Sequence, residues 1–310
     1  MNIYHQINST TITQLTYQNI LSLSGNIDVY KKTHILTNEY KQLTTLYDPV
    51  YAALWCVLKT KPIPVFTCEL LDNIREIQDT VAELKLAKPM LAPKYIIWLS
   101  DNCNVFNLGL DLNLLSSLII KRDEKHLEEY LQKCIDVLYI NLMKLDLYPV
   151  ITISLIRGKV YGGGLEAALS SDIIFAEENA KCCFPEVHYN LFPSLGTLDK
   201  IMEKVNKNDL KNLILHGKHL NLNILQSMGL VDELVEQGKG CQTAFNYIKK
   251  AHSKHCVYAS LYKDRLNQNV ITYEKLTTFK KQWIDVALHL QYSDLRRLEK
   301  IAQAQAHLII

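Results

Sequence analysis

The chain is poor in residues that interrupt regular structure, with 11 glycines and 8 prolines among 310 residues. That scarcity excludes collagen-like and low-complexity tracts. A hydrophobic share of 48% against 21% charged excludes disorder and leaves apolar mass for a large core. Excess charge of one sign is also missing: Lys plus Arg number 34 and Asp plus Glu 32, a net of +2, so no basic face for nucleic acid is expected. Apolar runs are short, and one such as Leu114 to Ile120 falls far below the ~20 residues of a membrane-spanning helix. The eight cysteines form no C-x-x-C pair, and adjacent Cys182 and Cys183 cannot easily bridge each other. Reduced, buried thiols are therefore expected, with no disulfide framework and no metal site. The start, Met1-Asn2-Ile3-Tyr4-His5-Gln6, lacks the basic residues and apolar run of a secretion signal. A cytoplasmic protein without membrane insertion is the expectation.

The pattern that remains is one of strands alternating with helices. Residues 1–40 are polar, rich in Thr and Asn, and read as an N-terminal extension or short strands. Thr67 is placed to cap a helix through Leu70, Leu71, Ile74 and Ile77. Tyr95 to Leu99, Val150 to Ile156, Ile173 to Ala176 and Leu230 to Val235 read as buried strands, and Glu124 to Leu145 as a long amphipathic helix. An α/β core over residues 41–237 follows. Residues 238–310 turn helical: Leu276, Phe279, Trp283, Ala287 and Leu290 share one stripe, and Leu295, Leu298, Ile301 and Ala302 begin another. These read as a C-terminal helical subdomain.

The segment from Val150 to Pro193 carries the chemistry. Gly162-Gly163-Gly164 precede a helix running to Ser171 and expose backbone N–H groups at its positive end, where developing negative charge is stabilised. Glu166 lies in the first turn, and Glu186 follows 20 residues later, after one helix and one strand. That excursion returns the chain to the same end of a sheet, so the two carboxylates can face one another. Each feature also has a structural reading: a tight glycine turn, a glutamate serving the helix dipole, a solvated Glu after Pro185. A dinucleotide reading competes as well, because Gly162-x-Gly164-x-x-Ala167 fits G-x-G-x-x-G/A with Glu177 or Glu178 as a ribose-binding acid. Arg157 to Tyr161, which separate the strand from the first glycine, fit that turn poorly.

Phe106-Asn107-Leu108-Gly109-Leu110-Asp111-Leu112 resembles the F-s-A-G-x-D-l segment of the crotonase (enoyl-CoA hydratase/isomerase) superfamily. Gly158 to Asp172 resembles its G-x-x-x-G-G-G-x-E-l-A-l-x-x-D. Phe184-Pro185-Glu186 with Pro193 and Gly196 resembles its p-E-x-x-x-G-l-x-P-x-x-G, and Met228-Gly229-Leu230-Val231 its A-x-x-G-L-V. Within the superfamily the chain is similar to bacterial diffusible signal factor synthases, through Tyr47-Asp48-Pro49, Phe66-Thr67, Phe184-Pro185-Glu186-Val187, Asn190-Leu191-Phe192-Pro193 and Trp283-Ile284-Asp285.

The resemblance implies a spiral of ββα units closed by C-terminal helices, assembled as a trimer or hexamer, acting on acyl thioesters without a metal or redox cofactor. It assigns the oxyanion hole to the amides of Leu110 and Gly163, catalysis at C2 to Glu186, and handling of the hydroxyl or water to Glu166. Gly109, Gly162, Tyr161, Leu195, Trp283 and Ile301 would contact substrate. Tyr161 and Ser194 depart from the pattern, which expects a smaller aliphatic group and a glycine. His188 reads as a loop histidine. Synthases of this branch dehydrate a 3-hydroxyacyl chain on acyl carrier protein to the cis-2-enoyl thioester and hydrolyse it to a free fatty acid used in quorum sensing. Some are held by the receiver domain of a sensor kinase. An ordinary enoyl-CoA hydratase and a non-catalytic partner-binding module are the alternatives. Lys94, Arg157, Lys159 and Lys200 are candidates for docking an acidic carrier.

Overall fold

The computed structural model describes residues 35–143, 150–193, 201, 205–267 and 272–307. Most of the expected N-terminal extension, together with Ser194, Leu195 and Lys200, lies outside them.

The chain begins with strands β1 (Leu43–Asp48) and β2 (Ala53–Leu58), followed by helix α1 (Cys68–Ala87). Thr67 caps α1 as its position predicts, its hydroxyl accepting from Leu70 N at 3.1 Å. Three two-strand units come next. The first is β3 (Tyr95–Ser100) and β4 (Val105–Asn107), leading to helices α2 (Leu112–Ile120) and α3 (Glu124–Leu142). The second is β5 (Ile151–Ile156) and β6 (Lys159–Tyr161), leading to α4 (Gly163–Leu169). The third is β7 (Ile173–Glu177) and β8 (Lys181–Cys183), followed by a 3₁₀ turn at Pro185–Tyr189. Helices α5 (Lys207–Leu215) and α6 (Leu222–Ser227) precede β9 (Glu233–Val235), and α7 (Gly240–His252), α8 (His255–Asn267), α9 (Tyr273–Leu288) and α10 (Tyr292–His307) end the chain.

Each unit gives one strand to each of two sheets, which makes the fold a spiral. The six-stranded sheet has the order β1-β2-β3-β5-β7-β9 and the three-stranded sheet β4-β6-β8. Among the strands of the described residues, β1 and β2 pair antiparallel and the other strand pairings are parallel. This is the α/β spiral of ββα units that the sequence resemblance implies.

Period-two alternation explains how the large sheet is buried on both faces. Trp55, Ile97, Ile153 and Phe175 point to one side, where Ala244, Phe245 and Ile248 of α7 cover them. Leu54, Cys56, Ile96 and Ile174 point to the other, against the helical layer that includes α1 and α3. Helix α9 lies against α3, and α10 against α2 and the 3₁₀ turn. That last contact brings α10 beside the residues that follow the short strands. Among the described residues no helix is long and apolar enough to cross a membrane. All eight cysteines are free.

Candidate active site

The three short strands are parallel, so their carboxyl ends share one edge, the place where open α/β sheets bind ligands. β4 delivers Leu108, Gly109 and Leu110 there, β6 delivers Gly162 and Gly163, and β8 delivers Pro185 and Glu186. The sites expected from sequence therefore converge because the strands that feed them are neighbours.

The loop after β4 is held from several sides. Asn107 Oδ1 accepts from Gly109 N at 2.7 Å, and Leu108 N donates to Pro64 O at 2.8 Å. Phe66 N donates to Gly109 O at 2.8 Å in a parallel bridge between Phe66 and Leu110. In such a bridge the N–H of Leu110 points away from Phe66. The Tyr130 hydroxyl locks the next peptide, accepting from Asp111 N at 2.8 Å and donating to Phe66 O at 2.7 Å. Gly109 has a φ of +88°, and a Cβ there would lie 2.9 Å from Gly163 N and 2.9 Å from Tyr161 O. The two loops carrying the amides of Leu110 and Gly163 thus touch, and only a residue without a side chain fits between them.

Gly163 opens α4, where its N–H has no acceptor within the helix. Gly162, with φ +50° and ψ −126°, makes the turn into it and donates its N–H to Cys183 O at 3.0 Å. A Cβ on Gly162 would stand 2.4 Å from Glu186 Oε1, so the Glu186 carboxylate rests against bare backbone. Gly162 O in turn accepts from Glu166 N at 3.0 Å. The Glu186 carboxyl and the Glu166 main chain therefore both border the Gly162 peptide.

Their environments differ. Glu166 is 0% exposed and does not line the cavity as expected of a substrate-handling residue, whereas Glu186, at 7%, does. Glu186 Oε2 is buried with no hydrogen-bond partner. Burial, and then the nearby charge of Glu166, pushes the Glu186 carboxyl up to about 8. Removing that charge should partly reverse the shift. Glu166→Gln is expected to lower the Glu186 midpoint while leaving it above the ordinary carboxylate range, because desolvation remains; ¹³C NMR of labelled glutamate carboxyls measures this. An unmoved midpoint would separate the two groups.

The cavity measures about 220 Å³. Of the residues expected to form the site, Leu110, Tyr161, Gly162, Gly163, Glu186, Trp283 and Ile301 line it. Gly109 backs the wall, and Leu195 lies outside the described residues. Trp283 is fixed by donating Nε1 to Phe192 O at 2.9 Å. The Tyr161 ring stacks on His219, with a hydrogen bond of 3.1 Å between its hydroxyl and His219 Nε2. His188 also reaches the lining, from the 3₁₀ turn rather than a free loop, and donates Nε2 to Gly217 O at 3.0 Å. Sequence reasoning gave no site role to Leu108, Leu112, Leu115, Cys183, Pro185, Tyr189, Ala304 and Gln305, which also line the wall. The resemblance flagged the segments around several of these without giving them a role.

Outside the cavity, Val187, His188, Arg297, Lys300 and Ile301 form an open groove of about 460 Å³ that shares His188 and Ile301 with it. Its cations are not those expected for carrier docking. Arg157 is turned inward and buried, donating Nη2 to Ser100 O, and so cannot meet an acidic surface.

Solved structures with the same fold include the enoyl-CoA hydratase of Bacillus halodurans, at TM-score 0.69 and 23% identity over 84% of this chain and 100% of that one. Pseudomonas aeruginosa DspI superposes at TM-score 0.59 and 18% identity, over 76% of this chain and 82% of its own. Identities this low show the fold alone. In sequence, the chain is 29% identical to the short-chain-enoyl-CoA hydratase of Clostridium acetobutylicum over 127 residues, 41% of this chain and 49% of that protein. The chain spans about half the length of the curated relatives it matches. Residues 94–299 match the family profile of enoyl-CoA hydratase/isomerase, a stretch that contains both glutamates and both amide loops. The chain belongs to the enoyl-CoA hydratase/isomerase family.

Proposed function

We propose that this chain dehydrates a 3-hydroxyacyl thioester and then hydrolyses it, releasing a cis-2-unsaturated fatty acid of the diffusible signal type. The observation that carries the dehydration step is the Glu186 carboxyl, raised by burial and with Oε2 lacking a hydrogen-bond partner, in the lining of a cavity that Gly163 also lines. With the thioester oxygen on the amides of Leu110 and Gly163, Glu186 as carboxylate takes the C2 proton. Negative charge moves to the thioester oxygen, where two main-chain donors contribute a few kcal/mol (~3 for one donor) to the transition state. Glu166, which must turn its buried carboxyl toward the cavity to do so, gives the pair's proton to the C3 hydroxyl, which leaves as water while C2 and C3 become double-bonded. Hydrolysis reuses the hole: water adds to the carbonyl carbon, the oxyanion is held by the same amides, and the carrier thiol leaves with a proton.

Dehydration and its reverse both need one proton shared by the two carboxyls, since neither direction consumes or releases a proton overall. kcat/KM is accordingly expected to fall on the alkaline side in both directions, with a midpoint near 8, as the pair loses the one proton it shares. A profile flat to pH 9 would detach Glu186 from the chemistry.

The groove at Arg297 and Lys300 suits the phosphate of a phosphopantetheine arm or the acidic face of a carrier. Arg297→Glu with Lys300→Glu is expected to raise KM for an acyl carrier substrate about tenfold, equivalent to ~1.4 kcal/mol. A short thioester lacking phosphate should be affected far less. Steady-state kinetics on both substrates reads the difference.

A second reading, simple enoyl-CoA hydration without release, is favoured by the names of the sequence relatives. Mass spectrometry after incubation with 3-hydroxyacyl carrier protein and with the CoA thioester separates the two. Free cis-2-enoic acid supports the synthase, and a retained trans-2-enoyl thioester overturns it in favour of the hydratase. As expectations carried into this reading, residues 41–237 supply the catalytic spiral and 238–310 the closing helices, in a homo-oligomer; a sensor-kinase receiver domain is a candidate partner.

A further inference from the structure

Gln305, on the last helix, stands out because it is a polar side chain only 4% exposed in an otherwise apolar stretch of cavity wall. Its neighbours along that wall are Ile301, Ala304 and Trp283. Its Nε2 donates to Leu108 O at 3.2 Å and to Leu110 O at 3.3 Å. These two carbonyls belong to the loop that presents the Leu110 amide, so the side chain is anchored to that loop across 195 residues of sequence. With the nitrogen so held, the direction of the carbonyl end is set, and Gln305 Oε1 is buried with no partner. A buried acceptor without a donor is costly, and the cost is recovered when a ligand brings one.

The position of Gln305 along α10 narrows which part of a ligand that is. Arg297 and Lys300 line the outer groove, Ile301 is shared by groove and cavity, and Gln305 lines the cavity alone. At 1.5 Å per residue, Gln305 lies about 12 Å further along the helix than Arg297. A carrier arm entering at the cations would thus leave Gln305 beside the acyl portion, whose thioester oxygen is held by the neighbouring Leu110 amide. The donor available there on a 3-hydroxyacyl group is its hydroxyl.

We propose that Gln305 is a specificity residue, its Oε1 accepting a hydrogen bond from the acyl hydroxyl and so selecting 3-hydroxyacyl over saturated chains. The inference rests on the acyl-thioester reading and adds a hydroxyl subsite to it. Binding of the amide analogues of 3-hydroxydecanoyl- and decanoyl-pantetheine, with NH in place of the thioester sulfur so that neither is turned over, measured by calorimetry on the full chain, tests it. Wild-type protein should bind the hydroxylated probe about tenfold more tightly. Gln305→Met, of similar length but without an acceptor of comparable strength, should bring the two affinities within twofold of each other, mainly by weakening the hydroxylated probe. Gln305→Leu serves as the second variant and should do the same. Discrimination unchanged in either folded variant overturns the inference, as does an equal weakening of both probes, which is what a purely structural role predicts. Wild-type protein that binds neither probe overturns the thioester reading itself, and the subsite with it.

Discussion

Glu186→Gln is expected to lower kcat for dehydration by roughly 10²–10⁴-fold, the usual contribution of a positioned acid–base group. The same change should stabilise the protein at pH 8. Glu186 titrates near 8 in the folded chain, against an ordinary value of 4.5. Between those values the native state holds a proton that the unfolded state has released, so stability falls as pH rises through that window. At 1.36 kcal/mol per pH unit the loss by pH 7 is about 3 kcal/mol, on an order-of-magnitude scale. Glutamine escapes it but brings an amide whose donors need partners, at a cost of roughly 1–3 kcal/mol. The balance therefore changes sign: near pH 5 the variant should be equal to or less stable than wild type, and at pH 8 more stable. Urea denaturation at the two pH values measures the crossing. A variant less stable at both would mean that the Glu186 carboxylate has a stabilising partner and that its burial is structural.

The long elements were legible because their apolar spacing is long enough to define a period. Glu124–Leu142 shows its stripe over five turns, and the strand Tyr95–Ser100 is an unbroken apolar run from Tyr95 to Leu99. The three-stranded sheet was not legible, since Val105–Asn107, Lys159–Tyr161 and Lys181–Cys183 are three residues each and carry no periodicity. Residues 157–161, which look like an overlong loop when read for a dinucleotide turn, contain one of these strands. It is this sheet that gathers Leu110, Gly163 and Glu186; the return of Glu186 toward the glycine turn followed from the intervening helix and strand, but the approach of Leu110 was accessible only through the family's motifs. Buried polar residues were hidden for another reason: by type they read as solvated surface. Arg157 spends its charge on a main-chain carbonyl, Lys280 on Glu128 and Gln132, and Gln305 on two carbonyls nearly 200 residues away. No local pattern encodes such partners.

Gly109→Ala is expected to cost more in catalysis than its single methyl suggests. The new carbon would stand 2.9 Å from Gly163 N and 2.9 Å from Tyr161 O, closer than carbon sits to either atom, and both are main chain and cannot rotate aside. Relief requires the loop after β4 to move away from α4. That motion carries Leu110 with it, because Gly109 and Leu110 are tied to Phe66 on the far side. The φ of +88° adds strain for any residue with a side chain, on the order of 1–3 kcal/mol. Stability should drop by about that amount. Activity should drop by roughly 10²–10³-fold, as when one oxyanion donor is removed, because the two amides no longer converge on one oxygen. The signature is in how the loss divides. If the hole acts on charge that develops in the transition state, the fall appears in kcat for both dehydration and thioester hydrolysis, with KM changed little. A loss confined to KM would instead place Gly109 in substrate binding, and undiminished turnover in a folded variant would remove Leu110 and Gly163 from the oxyanion hole.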